Sequence, residues 1–166
     1  MSDANVDRSK PGVAFVVRHP AHFIAFGFGS GLAPIAPGTF GSLVGIPFAY
    51  WLLPAYGDNA YALVLTVFFA IGVWACGVTG RALGIADYGG IVWDEVVGMM
   101  LVLWIVPLTP LWILAAFLLF RIFDIVKLPP ASYFDLQWKN GLGVMMDDIA
   151  AAGHALIVLA IAMRFF

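Results

Sequence analysis

Long apolar runs with charged residues only near their ends are the feature that most constrains this chain. Tyr61–Val78 contains no charged side chain and has about the length of a helix that crosses a bilayer. Hydrophobic residues make up 63% of the 166 residues and charged residues only 11%, whereas soluble domains average about 25% charged. The sequence therefore predicts an all-α, polytopic integral membrane helical bundle with about five transmembrane helices. The other four runs are Phe40–Tyr56, Val92–Val106, Leu111–Val126 and Val144–Met163.

Glycine, proline and polar residues separate the runs. Gly57–Asn59 predicts a turn between the first two runs, and Pro107 with Pro110 predicts a tight turn that makes the third and fourth runs a hairpin. Thr39 is a natural N-cap for the first run. Ala131–Gly143 is expected to be a loop.

The N-terminal region is more polar than the rest. Residues 1–18 are expected to form a polar tail, with Met1–Lys10 disordered, and residues 19–166 one membrane-embedded catalytic domain. Gly12–Phe28 mixes aromatic and polar residues, which is typical of short interfacial helices. A removable signal peptide is not expected, because glycines and Pro34 interrupt the apolar stretch that follows the first basic residues.

Basic residues predict the orientation in the membrane. If every run crosses, all of them but Arg164 fall on one side, and the positive-inside rule makes that side, with the N-terminus, cytoplasmic. A net charge of −2 gives no reason to expect a nucleic-acid partner. The residues on the basic side are Arg8, Lys10, Arg18, Arg81, Arg121, Lys127 and Lys139.

Six carboxylates fall near the same boundary, at the ends of the third, fourth and fifth runs. Ionisable groups at the edge of a membrane segment usually pair, bind ions or do chemistry. So many acids at one level would repel one another, and a set of oxygen ligands without Cys or clustered His favours magnesium. We therefore expect Mg²⁺ to neutralise this group, with Asp87 in an outer shell or in substrate binding. The six carboxylates are Asp87, Asp94, Glu95, Asp124, Asp147 and Asp148.

Two basic residues complement these acids. Arg121, Asp124 and Lys127 recur at three-residue intervals, so they share a broad face of one helix. Magnesium often shares its coordination with a substrate phosphate, which arginine grips as a planar fork and lysine as a point charge. Asp147 and Asp148 are adjacent and cannot face the same way. We expect one to bind metal and the other to orient Lys127 or a water.

Structural interpretations stay open for the same groups. Acids favour helix N-termini, so both adjacent acid pairs could cap their helices. Arg121 and Asp124 could form a structural ion pair. Gly45, Gly72 and Gly98 are expected to allow close helix packing.

Four long blocks, in this order, resemble the phosphatidylglycerophosphatase A family. The sequence departs from the family pattern at Leu128, where proline more often follows the lysine directly, and at Asn140, where glycine is commoner; neither change removes a charged group. The blocks are Gly29–Leu43, Asp87–Gly98, Phe120–Pro130 and Gly141–Ala151. Within them the pattern is carried by Pro37, Gly38, Thr39, Asp94, Glu95, Arg121, Asp124, Lys127, Gly143, Asp147 and Asp148.

The resemblance implies a bacterial enzyme of the cytoplasmic (inner) membrane, with its active site facing the cytoplasm. It would hydrolyse phosphatidylglycerophosphate to phosphatidylglycerol and inorganic phosphate with Mg²⁺. Whether water attacks directly or a carboxylate attacks first is left open. Taken with the charge pattern, it implies catalytic roles for Asp94, Glu95, Asp124, Lys127 and Asp148, substrate binding by Thr39, Asp87, Arg121 and Lys127, and metal coordination by Asp94, Glu95, Asp124, Asp147 and Asp148.

Other classes of protein fit less well. A small ion-coupled transporter would place its acids near the bilayer midplane or along a path across it. A non-catalytic membrane subunit would not need so many unpaired acids. Another membrane lipid phosphate hydrolase, or a phosphotransferase, remains an alternative. The head-group transferases gather their acids in one compact motif, whereas this chain spreads them over three segments.

Overall fold

The computed structural model describes residues 11–165, and within that range every regular element is helical, as predicted. Met1–Lys10, predicted to be disordered, lies outside the described residues. Two short helices and a 3-10 turn precede the main bundle, in keeping with the short helices expected over Gly12–Phe28. The elements are α1 (Val13–Val17), α2 (Pro20–Ala25), the 3-10 turn Gly27–Leu32, α3 (Pro37–Leu83), α4 (Trp93–Ile105), α5 (Pro110–Val126), α6 (Ala131–Gln137) and α7 (Gly141–Ala162).

The 47-residue helix α3 is a hairpin of two arms, residues 37–56 and residues 58–83, joined at Gly57. Gly57 has φ 73° and ψ 176°, a conformation that is accessible to glycine but strained for other residues. Phe48 and Phe68, on opposite sides of Gly57, lie edge to face with ring centroids 5.4 Å apart, so the arms fold back on each other. The predicted turn is confirmed but is narrower than expected, because Asp58 and Asn59 are already helical.

Helix α4 is the centre of the bundle and most of its residues are buried. Tyr61 Oη donates to the Met100 carbonyl at 2.9 Å and Trp93 Nε1 donates to the Phe68 carbonyl at 3.0 Å, which ties α4 to the second arm of α3. A methyl group at Gly98 would lie 2.6 Å from the Phe120 ring, and one at Gly45 would lie 2.6 Å from the Val96 carbonyl oxygen. The prediction that glycines permit close helix packing is confirmed.

Contacts between side chains show which helix ends lie together at each end of the bundle. Asp58, at the start of the second arm, accepts from Trp104 Nε1 near the end of α4 at 3.0 Å. At the other end of the bundle, Arg121 of α5 contacts Glu95 in the first turn of α4. The starts of the first arm and α4, the ends of the second arm and α5, and the first half of α7 therefore share one end of the bundle.

Two local predictions are wrong. Thr39 is not the N-cap of α3: Ala36, with φ 48° and ψ 54°, occupies that position and Pro37 starts the helix. Proline suits the first helical position because its φ is already helical and its missing N–H would have no partner there. Ala131–Gly143 is not a simple loop, since it contains α6 and the start of α7. Asn140 caps α7, its Oδ1 accepting from the backbone of Leu142 and Gly143 at 3.0 Å.

Two helices of the described range, Pro37–Leu83 and Gly141–Ala162, are long and apolar enough to cross a membrane by length and composition. The first of these is the α3 hairpin. Helices α4 and α5 have 13 and 17 residues, about 20 and 26 Å, which is short of the roughly 30 Å hydrocarbon thickness of a bilayer. Two helices rather than five therefore meet this criterion.

Candidate active site

An open cavity of about 230 Å³ lies at the end of the bundle where α4 and the first arm of α3 begin. All six carboxylates singled out in the sequence line it, together with Lys127. They come from the loop before α4, from α4 itself, from the end of α5 and from α7. These elements are far apart in the sequence, and the antiparallel arrangement of the helices brings their carboxylates to the same end of the bundle.

Three of the carboxylates form a compact group that we call the carboxylate triad: Asp94, Glu95 and Asp148. One oxygen of each lies within 4.8 Å of the others. Asp94 is 6% exposed and Asp148 is 3% exposed. Asp94 Oδ1, Glu95 Oε2 and Asp148 Oδ2 are buried and have no hydrogen-bond partner among the described residues.

A buried carboxylate oxygen without a partner destabilises the folded state, because its charge has lost hydration and no hydrogen-bond donor replaces the water. Three of them side by side add mutual repulsion. The donor set consists only of hard oxygen atoms, which suits a magnesium or calcium ion. The triad therefore fits a divalent cation. Within residues 11–165, Arg121 is the one protein cation that pairs with it, through Glu95.

Helix capping does not account for these acids. The N-cap of α4 is Val92, and no side chain caps that helix. Helix α7 begins at Gly141 and is capped by Asn140, so Asp147 and Asp148 lie well inside it. The α4 macrodipole does favour Asp94 and Glu95, which occupy its first turn.

Arg121 connects the triad to Asp124. Its Nη1 lies 3.5 Å from Glu95 Oε1 and also forms an ion pair and hydrogen bond with Asp124. The ion pair that the sequence left open is thus present. Arg121 Nε is buried and has no partner among the described residues, so the guanidinium retains an unused donor.

Lys127 organises a second group of acids beside the triad. Its Nζ lies 2.7 Å from Asp147, 3.0 Å from Asp135 and 3.8 Å from Asp87. Burial alone would lower the pKa of the Lys127 ammonium, but its hydrogen bonds and the surrounding carboxylates raise that pKa above its ordinary value. Lys127 therefore stays charged at neutral pH. It ends α5 in a left-handed conformation, with φ 48°.

The predicted set of metal ligands is thus divided in the structure. Asp94, Glu95 and Asp148 share the triad, Asp124 pairs with Arg121, and Asp147 hydrogen-bonds Lys127. Of the two adjacent acids, Asp148 belongs to the triad and Asp147 binds Lys127.

Sequence reasoning missed two residues of the site and gave a role to a third that has little support. Asp135 falls within the predicted Ala131–Gly143 loop, and its position between Lys127 and Lys139 is the sequence signal that points to it. The sequence pointed to Gly38 only through the resemblance to the family. Its importance is steric: a methyl group there would overlap Glu95 Oε1 and lie 2.9 Å from Arg121 Nη1. Thr39 follows it, partly buried, with no side-chain hydrogen bond described and no place in the cavity lining.

If the triad holds a catalytic magnesium ion, replacing Gly38 with Ala is expected to weaken magnesium binding and turnover about tenfold or more while the protein still folds. The added methyl displaces the end of the flexible Glu95 side chain, and a small displacement of a catalytic group can cost up to about a hundredfold. Magnesium titration and phosphate release measure the two effects. Gly153→Ala is the matched control, because a methyl group there meets nothing within 4 Å and should leave both values unchanged. Equal behaviour of the two variants would contradict this role of Gly38.

The fold and the site together define an all-helical protein with six carboxylates and a lysine around one cavity at an end of the bundle. An arginine pairs with two of those carboxylates. Sequence comparison then gives the family. The family described as Phosphatidylglycerophosphatase A matches residues 23–163, and the chain belongs to it.

Relatives cover most of this chain. A Phosphatidylglycerophosphatase A of Haemophilus influenzae is 46% identical over 142 residues, which is 85% of this chain and 87% of the relative. A Phosphatidylglycerophosphatase A of Escherichia coli is 45% identical over 134 residues, 80% of this chain and 77% of the relative. A Bacteroides thetaiotaomicron protein, whose name proposes a phosphatidylinositol-3-phosphatase, is 42% identical over 148 residues, 84% of this chain and 91% of the relative. No solved structure matches.

Proposed function

We propose that this chain is a magnesium-dependent phosphatidylglycerophosphatase, which hydrolyses the terminal phosphate of phosphatidylglycerophosphate to give phosphatidylglycerol and inorganic phosphate. Family membership and the names of the two bacterial relatives support the activity. The observation that carries the magnesium dependence is the triad, whose three buried oxygens have no partner. A cation is the group that would satisfy all three at once.

Residues in the cavity and beside it would each have a role in the reaction. Asp94, Glu95 and Asp148 would hold Mg²⁺, which supplies Lewis-acid polarisation of the phosphoryl oxygens when bound. Arg121, held in place by Asp124, offers its unused Nε to the phosphate. Lys127 offsets negative charge that develops in the transition state, and Asp87, Asp135 and Asp147 hold its ammonium at the cavity.

Phosphate release from a panel of lipid phosphomonoesters tests the activity and its substrate. The purified full chain in neutral detergent micelles would receive phosphatidylglycerophosphate, phosphatidylinositol 3-phosphate or phosphatidic acid, each with magnesium. We expect the highest kcat/KM with phosphatidylglycerophosphate. Preference for the inositol lipid would favour the activity proposed in the name of the Bacteroides relative. Turnover of none of the three would refute the proposal.

We also propose that the chain is a multi-pass protein of the bacterial inner membrane, with the cavity at the cytoplasmic face. The two arms of α3, α4, α5 and α7 would be the five spans. Large apolar side chains on the bundle surface support this, since Trp51, Leu111 and Ile125 are each about 70% exposed and would be unfavourable in water. The short helix α4 is shielded from lipid by its neighbours.

The topology predicts how introduced cysteines behave. Asn59 and Gln137 are exposed at opposite ends of the bundle, and the native Cys76 is fully buried, so it gives no background. Asn59→Cys should react with a membrane-impermeant thiol reagent added to intact cells, whereas Gln137→Cys should react only after the membrane is opened. The opposite pattern, or labelling of both from outside, would contradict the proposed orientation.

A further inference from the structure

A second cavity, of about 430 Å³, lies beside the acidic one and has basic residues in its lining. It is formed by the last turns of α3 and the connection between α6 and α7, and Arg81 and Lys139 line it. Ala86 lines this basic cavity while the next residue, Asp87, lines the acidic cavity. The rims of the two cavities therefore meet along one short loop.

No carboxylate neutralises either cation of the basic cavity within residues 11–165. The ion pairs in that range all use Arg121 or Lys127. Lys139 donates to the backbone carbonyl of Asp135 and forms no direct ion pair in the described range. Two cations without a direct ion-pair partner in one cavity favour an anionic ligand, although the chain as a whole carries a net charge of −2.

The walls of the basic cavity leave room for such a ligand. Four of its lining residues are glycines, at positions 77, 80, 84 and 141. A methyl group on Gly84 would meet nothing within 4 Å, whereas Gly80 and Gly141 pack against neighbouring backbone. The Arg81 side chain folds back along its helix, with Nη1 3.5 Å from the place of a methyl group on Gly77. A guanidinium held along the wall can offer two parallel N–H donors, the geometry that matches a phosphate.

We propose that the basic cavity binds the phosphodiester anion of a phospholipid through Arg81 and Lys139. Phosphatidylglycerophosphate carries a phosphodiester and a terminal phosphomonoester, joined by one glycerol unit. Two adjoining cavities of this kind suit one molecule that places its monoester in the acidic cavity and its diester in the basic one. The assignment to the substrate rests on the proposed function, and a neighbouring anionic phospholipid would present the same phosphodiester.

A binding experiment tests the site without relying on catalysis. The purified full chain in neutral detergent micelles is titrated with phosphatidylglycerol, which has a phosphodiester and no phosphomonoester, and separately with zwitterionic phosphatidylcholine. We expect selective binding of phosphatidylglycerol, weakened about tenfold or more in the Arg81→Gln, Lys139→Gln double variant through loss of charge-assisted hydrogen bonds. Arg81→Lys should retain part of the affinity. Arg164→Gln is the control for loss of an exposed positive charge and should bind normally.

Steady-state kinetics then identify the source of the phosphodiester. If it belongs to the substrate, phosphatidylglycerol competes with substrate, and the double variant raises KM with little change in kcat. If it belongs to a neighbouring lipid, phosphatidylglycerol alters turnover without competing, and this response is lost in the double variant. Unchanged affinity for phosphatidylglycerol in the double variant overturns the inference, whether or not the chain hydrolyses phosphatidylglycerophosphate.

Discussion

Replacing Asp148 with Asn is expected to lower turnover of phosphatidylglycerophosphate about a hundred- to a thousandfold. The change keeps the size of the side chain but removes one of three anionic oxygens that would hold magnesium, and the loss of metal-assisted charge stabilisation is worth several kcal/mol in the transition state. Phosphate release at saturating substrate measures the loss.

The same substitution should have a different effect on stability. Without magnesium, Asp148→Asn removes repulsion among three buried carboxylates, so its thermal unfolding temperature should equal or exceed that of the unaltered protein. We expect magnesium to raise the unfolding temperature of the unaltered protein, and this rise should be lost in the variant. Asp58→Asn, at the opposite end of the bundle, is the matched control and should change neither measurement. Full turnover and a normal magnesium response in Asp148→Asn would show that the triad holds no catalytic ion.

Replacing Arg121 with Lys is expected to lower turnover about ten- to a hundredfold, although the positive charge is kept. Lysine cannot reproduce the planar fork of arginine, and a hydrogen bond to a charged group is worth about 1.5–3 kcal/mol. The buried, unpartnered Nε of Arg121 is the donor that this account gives to the phosphate.

Two readouts separate a phosphate contact from a structural ion pair. In Arg121→Lys the magnesium-dependent rise in unfolding temperature should persist, because the triad is intact, while turnover falls at both low and saturating substrate. Arg164→Lys, an exposed residue outside both cavities, should have normal turnover. Near-normal turnover in Arg121→Lys would leave that residue as only an ion-pair partner of Glu95 and Asp124.

The level of each charged residue along the bundle was predictable from the sequence. Helices rise about 1.5 Å per residue, so the position of an acid within an apolar run gives its depth directly. The runs also predicted the hairpin of α4 and α5, with its turn between Pro107 and Pro110.

Rotation about the helix axes was harder to predict. Successive residues point about 100° apart on a helix, so adjacent acids diverge, and only packing decides which faces which neighbour. In the packed bundle Asp148 joins Asp94 and Glu95, whereas Asp147 meets Lys127. The steric role of Gly38 is likewise invisible without its neighbours, since it depends on side chains from α4 and α5.

The most direct test of the central claim is the dependence of phosphate release on free magnesium. The purified full chain would be stripped with a chelator, supplied with phosphatidylglycerophosphate, and titrated with Mg²⁺. The three unpartnered oxygens of Asp94, Glu95 and Asp148 predict no turnover in chelator and full recovery as magnesium is restored. Undiminished phosphate release in chelator would contradict the claim that these carboxylates hold a catalytic ion.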